Sequence, residues 1–192
     1  MTIRTLVSEQ TDDNSGYLEL ASVLQFWSDA GRERWFVKDA QFDLDFRTRF
    51  FEHHLAAAAS RLNVWSQSAS GTFALIILLD QFPRNAFRDT AHMYATDPLA
   101  RSHAYTAVAR GFDEQVPSEL RMFVYMPFMH SESLVDQERS VMLQGRLGNT
   151  EYAEQHYEII RRFGRFPHRN AALARKTTPE EQAFLDAGGF SG

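Results

Sequence analysis

Residues 73–85 read Phe-Ala-Leu-Ile-Ile-Leu-Leu-Asp-Gln-Phe-Pro-Arg-Asn, and the fold turns on how this stretch is taken. The apolar run from Phe73 to Leu79 falls far short of the roughly twenty residues that a membrane-spanning helix needs. A run apolar on every side suits a helix at the centre of a helical protein. The flanking sequence supports that reading. Leu20, Val23, Leu24 and Trp27 follow i, i+3, i+4, i+7 spacing, with Gly31 placed as a C-terminal cap. Phe42, Phe46 and Phe50 form the inward stripe of a helix starting near Asp39. Asp43/Arg47 and Asp45/Arg49 read there as i, i+4 pairs on its solvent face. Downstream, Asp97-Pro98 is a helix start with Asp as N-cap and Pro at the first helical position. Ala100, Ala104, Ala107 and Val108 give that helix a close-packing face, which Gly111 ends. Further helices are predicted over 117–125, 133–147, 150–163 and 179–187, the last opening on Thr178-Pro-Glu-Glu181 with capping-box spacing. No alternating strand pattern of useful length occurs. The expectation is all-α: a polar N-terminal tail over 1–16, then one compact helical domain over 17–192. No regular 34-residue repeat is visible.

Composition narrows the function classes. With 192 residues, 44% hydrophobic and 16 of them Phe, the chain can bury a core and is not a disordered segment. The absence of cysteine removes disulfides, thiolate nucleophiles, iron–sulfur clusters and Cys-type zinc sites. A net charge of -5, a pI of 5.8 and no basic tract at either end argue against nucleic-acid binding. Residues 1–16 lack the apolar core of a signal peptide, so a cytoplasmic protein with no membrane partner is expected. Of the 20 basic residues only Lys38 and Lys176 are lysine. Arginine suits buried ion pairs and oxyanion recognition, because its planar fork is always charged and grips two oxygens.

Two segments echo each other: Asp80-Gln-Phe-Pro-Arg-Asn85 and Gly164-Arg-Phe-Pro-His-Arg-Asn170. Each places Phe-Pro and then Arg-Asn after a helix, where Pro is expected to stop the helix and Asn to bond back to the backbone. Asp80 follows five large aliphatics and is expected near a helix C-terminus, where the dipole disfavours a carboxylate and burial demands a cation. Arg84, Arg162, Arg165 and Arg169 are the candidate partners. Residues 155–176 hold six Lys/Arg against the single acid Glu158, which makes that window +5 and the remainder -10. Tyr152, His156, Ile159, Ile160 and Phe163 share a helical face that turns His156 inward. Gln137, between Leu134 and Val141, also points inward. His130 and Glu132 lie on the loop entering the helix at Ser133. The leading expectation is a binding protein whose polar pocket is lined by Asp80, Gln81, Arg84, Asn85, His130, Glu132, Gln137, His156, Arg162, Arg165, His168, Arg169 and Asn170. It would take a small anion or an acidic peptide end, with no cofactor. Two rivals stand beside it. One is a metal-assisted hydrolase or oxygenase using His130, His156 and His168 with a carboxylate. In the other the motifs only hold helices together.

Leu78-Leu-Asp-Gln-Phe-Pro-Arg-Asn85, Tyr125-Met-Pro-Phe-Met-His-Ser-Glu132, Phe163-Gly-Arg-Phe-Pro-His-Arg-Asn170 and Thr178-Pro-Glu-Glu-Gln-Ala-Phe-Leu185 closely resemble a bacterial family known as domain of unknown function 924. The likeness runs from about Leu24 to Leu185. It implies a compact all-helical, tetratricopeptide-like fold of antiparallel helix pairs and no established activity. Ala174-Arg175 stands where the resemblance leads one to expect Gly-Arg.

Overall fold

The computed structural model describes residues 14–148 and 150–190, with side chains from residue 19 onward. Among them every regular element is helical, as the spacing predicts. The expected polar tail lies outside the described residues up to residue 13, and its residues 14–16 belong to the helix Asn14–Ala30. In chain order the helices are α1 Asn14–Ala30, α2 Arg32–Trp35, α3 Ala40–Ala58, α4 Ala69–Ile76, α5 Phe82–Ala86, α6 Asp97–Ala109, α7 Met122–Met129, α8 Leu134–Gly145, α9 Glu151–Phe163 and α10 Pro179–Asp186. No described helix is long and apolar enough to cross a membrane. Two compact units divide the chain: unit 1 is Met1–Arg88 with His92–Pro127, and unit 2 is Asp89–Ala91 with Phe128–Gly192.

In unit 1 the predicted stripes form the core. Phe42, Phe46 and Phe50 of α3 meet Phe26 and Trp27 of α1, and Trp27 packs edge-on to Phe123 of α7. The Trp35 indole donates to Trp27 O at 2.7 Å, which satisfies a polar atom inside an aromatic cluster. The N-cap of α3 is Asp39, whose carboxylate accepts from the Gln41 and Phe42 amides. The expected surface pairs on α3 do not form as read. Asp43 instead holds Arg88 through two bonds, Asp45 accepts from Gln41, and Arg47 and Arg49 lie over the Phe87 and Phe26 rings. A guanidinium gains more from an aromatic face or a forked carboxylate than from an exposed single pair.

The central run is helical throughout, but Pro83 does not end it. Residues 77–81 form a π turn that passes directly into α5, with the Phe82 N–H bonded to Ile77 O. Asp80 is therefore inside a continuous helical stretch rather than at a C-terminus. Pro83 has no N–H, so it offers no donor to Leu79 O in α register or to Leu78 O in π register. Side chains take over. His54 Nδ1 lies 2.9 Å from Leu78 O, Thr96 Oγ1 donates to Leu79 O at 2.6 Å, Arg84 donates to Asp80 O at 2.9 Å and Asn85 to Gln81 O at 2.8 Å. All four carbonyls of the interrupted turn are met. The N-cap position of α6 accordingly shifts from Asp97 to Thr96, whose hydroxyl serves Leu79 rather than its own helix.

Unit 2 packs α8 against α9. Gly164, at φ 68°, ends α9 in left-handed backbone, so at the second Phe-Pro segment the helix does stop, on glycine rather than on Pro167. Residues 167–169 follow as one 3-10 turn. The capping box opening α10 forms as predicted: Thr178 Oγ1 accepts from the Glu181 N–H and Glu181 accepts from the Thr178 N–H.

Candidate functional site

The thirteen expected site residues divide between the units. Asp80, Gln81, Arg84 and Asn85 lie in unit 1, and the other nine in unit 2. In unit 1 the Asp80 side chain is fully buried, and Arg84, of the four candidates, lies 3.2 Å from it. Arg84 also reaches Asp97 through two bonds of 2.8 and 3.1 Å. The flanking carboxylates Asp80 and Asp97 raise its pKa against the opposing effect of burial. Gln81 Nε2 donates to Asp80 Oδ2 at 2.6 Å, and Asn85 Oδ1 accepts from Arg88, itself held by Asp43. Every member of this motif serves the π turn or the ion pairs around it.

In unit 2 two carboxylates clamp the 164–170 loop. Glu132 accepts from the Phe166 amide at 2.9 Å and from both terminal nitrogens of Arg175 at 2.8 and 3.0 Å. These hydrogen bonds, with the Arg175 and Arg169 charges, hold its carboxyl below the ordinary value against burial. Glu181 binds Arg165 through two bonds and also accepts from Asn170 Nδ2 and the Thr178 amide. Arg165 brings it down to about 2. Arg162 is engaged by Glu180 at 3.0 Å. The positive window of the sequence is thus answered by acids at positions 132, 180 and 181, all outside it.

The clamped loop presents His168 and Arg169. The Arg169 guanidinium lies over the Phe166 ring at 4.3 Å. His168 and His156 alternate with Phe166 and Phe190 in a closed ring of aromatic contacts, with centroid separations from 4.5 to 5.5 Å. Burial first, then the Arg169 and His156 charges, press the His168 imidazole down to about 3, so it is neutral at physiological pH. Its Nδ1 is buried with no hydrogen-bond partner. His156 is buried as expected and its Nδ1 lies 2.7 Å from Tyr152 O, which places the ring proton there. Tyr152 itself is 60% exposed and leaves the predicted inward face. Gln137 is fully buried, but not on the Leu134/Val141 stripe. Leu134 is exposed, and the buried line of α8 is Asp136, Gln137, Ser140, Leu143 and Gln144. Gln137 Nε2 donates to Met129 O and Ser131 O on either side of His130, bracing that loop, while its Oε1 has no partner. The charges of Glu132 and His130 also act on His168. Among the described residues no group of three or more His, Cys, Asp and Glu side chains could hold a metal ion.

The residues define an all-helical protein whose sequence motifs brace one interrupted helix and one clamped histidine loop. The chain belongs to the family of bacterial proteins of unknown function DUF924, whose model matches residues 23–189 and so runs through both units. It is similar, at 51% identity and a TM-score of 0.86, to the solved structure of the protein of unknown function ATU0120 from Agrobacterium tumefaciens, over 88% of this chain and 97% of that one. No curated protein matches it.

Proposed function

We propose that the protein binds a small polar molecule at the 164–170 loop of unit 2, with His168 as the principal contact. The observation that carries this reading is a neutral imidazole with an unpartnered Nδ1, on a loop fixed from both sides by Glu132 and Glu181. Groups held in this way are pre-organised, which lowers the entropy cost of binding. Beside the donor Arg175 Nε, the buried atoms of unit 2 without partners include two acceptors, Asn170 Oδ1 and Gln137 Oε1. They suit a ligand that donates hydrogen bonds through hydroxyl, amide or amine groups. The charge of residues 155–176 favours an anion or an acidic peptide end instead, yet Arg165 would first have to leave Glu181 and Arg162 to leave Glu180.

Thermal shift and ligand-observed NMR over a panel of polyols, amides, amines, phosphates and carboxylates test the reading. A hydrogen-bond donor should stabilise the wild type, should fail with His168→Ala and should persist with Arg165→Ala. Stabilisation by phosphates or carboxylates alone, lost in Arg165→Ala, would install the anion reading in its place. No shift across the panel would sink both. In unit 1 the distances favour a structural role for the Asp80-to-Asn85 motif.

A further inference from the structure

The aromatic wall of unit 1 contains a second histidine pair that the sequence motifs do not include. We propose that His54 and His92 form a two-histidine site for a divalent transition-metal ion that favours imidazole, such as Cu2+ or Zn2+. His54 is buried on α3, stacked on Phe82 at 4.9 Å, and its Nδ1 lies 2.9 Å from Leu78 O. A carbonyl only accepts, so the ring proton sits on Nδ1, and the lone pair is on Nε2, the atom that faces His92. Metal-ligating histidines are commonly oriented in this way, the second ring nitrogen donating to a carbonyl.

His92 lies in the exposed 3-10 turn Ala91–Tyr94, its ring 4.0 Å from Phe87, and its Nε2 is 3.4 Å from His54 Nε2. That separation exceeds the usual 2.7–3.2 Å of an N–H hydrogen bond. It matches two ligands of one tetrahedral ion, since metal–nitrogen bonds of about 2.0–2.1 Å place the donors about 3.3–3.4 Å apart. Phe82 and Phe87 hold the two rings, so little ordering remains to be done on binding. With no third His, Cys, Asp or Glu converging among the described residues, water completes the shell, and exposed His92 provides the way in. A bound ion would fasten the Ala91–Tyr94 turn to α3 and, through Leu78 O, to the π turn. With two nitrogen ligands Cu2+ should bind more tightly than Zn2+.

The test titrates CuSO4 and ZnCl2 into the metal-free full chain at pH 7.5 by calorimetry, with paramagnetic resonance on the copper form. The proposal expects one equivalent of each ion, tighter copper, a signal with nitrogen coupling, and a higher melting temperature with zinc. His92→Ala, at an exposed position, should keep the fold by circular dichroism and lower affinity at least tenfold, while His168→Ala leaves it unchanged. Affinity undiminished in His92→Ala, or lost in His168→Ala instead, would overturn the assignment. So would the absence of stoichiometric binding by either ion.

Discussion

Thr96→Val removes one oxygen atom and tests the reading of the π turn. The Thr96 hydroxyl donates to Leu79 O at 2.6 Å, where Pro83 supplies no N–H, and both residues are buried. A typical hydrogen bond contributes about 0.5–1.5 kcal/mol net, but leaving a buried carbonyl unmet costs about 1–3 kcal/mol. Valine keeps the side-chain shape and offers no donor, so the expected loss is about 2 kcal/mol. For a chain of this length that corresponds to a fall in Tm of about 4–8 °C. The three tryptophans, Trp27, Trp35 and Trp65, are all buried in unit 1, so urea unfolding followed by their fluorescence reports on the unit that carries the change. Thr96→Ser, which keeps the hydroxyl, should recover most of the difference. A Thr96→Val protein within about 0.5 kcal/mol of wild type, the ordinary range for an inconsequential surface change, would show that Leu79 O does not depend on this donor.

Other perturbations bear on the ion pairs, the loop and the backbone. Arg84→Met strands Asp80 and Asp97 without their shared cation, and urea unfolding should show a loss of about 3–5 kcal/mol. Glu181 sits at about 2 in the fold against 4.5 ordinarily, so its stabilising contribution is complete above pH 4.5 and disappears as pH falls toward 2. Glu181→Gln should therefore flatten acid unfolding of unit 2 in that window, read by hydrogen exchange of α9 and α10 amides. His168, at about 3 against 6.5, binds fewer protons folded than unfolded, so stability declines as pH drops below 6.5. In NMR its imidazole carbons should not titrate between pH 8 and pH 5; a midpoint near 6.5 would contradict the burial described. At Gly71 a Cβ would collide with the Trp65 carbonyl, so Gly71→Ala should destabilise by about 1–3 kcal/mol, measured by the same fluorescence.

Helices were legible wherever the information is local. The stripes at Leu20, Val23, Leu24 and Trp27 and at Phe42, Phe46 and Phe50 follow from 3.6-residue periodicity alone, and all seven residues are buried. The Thr178 capping box likewise needs only residues three apart. Continuation of the helix through Pro83 could not be read in the same way. Locally, proline argues for a stop; what allows the turn to go on is a donor at position 54 and another at position 96, brought in by tertiary packing. The similarity of the two Phe-Pro-containing segments is for this reason misleading. One is carried onward by distant donors, and the other ends at Gly164, whose positive φ is itself a local signal.

For the site, charge counting over residues 155–176 established that the arginines need partners but not which ones, because a sum over a window is blind to acids outside it. Glu180 and Glu181 enter from the next helix and Glu132 from more than thirty residues upstream, so much of the apparent excess charge is internal ion pairing. The same blindness hid His54 and His92, which are 38 residues apart and share no motif. Both errors have one physical origin. Neutralisation and coordination are satisfied in space, while sequence windows register only what is adjacent along the chain. The useful sign of a binding group here is therefore neither charge nor spacing but incompleteness after packing: beside arginines held by Glu132, Glu180 and Glu181, His168 Nδ1 is left without a partner.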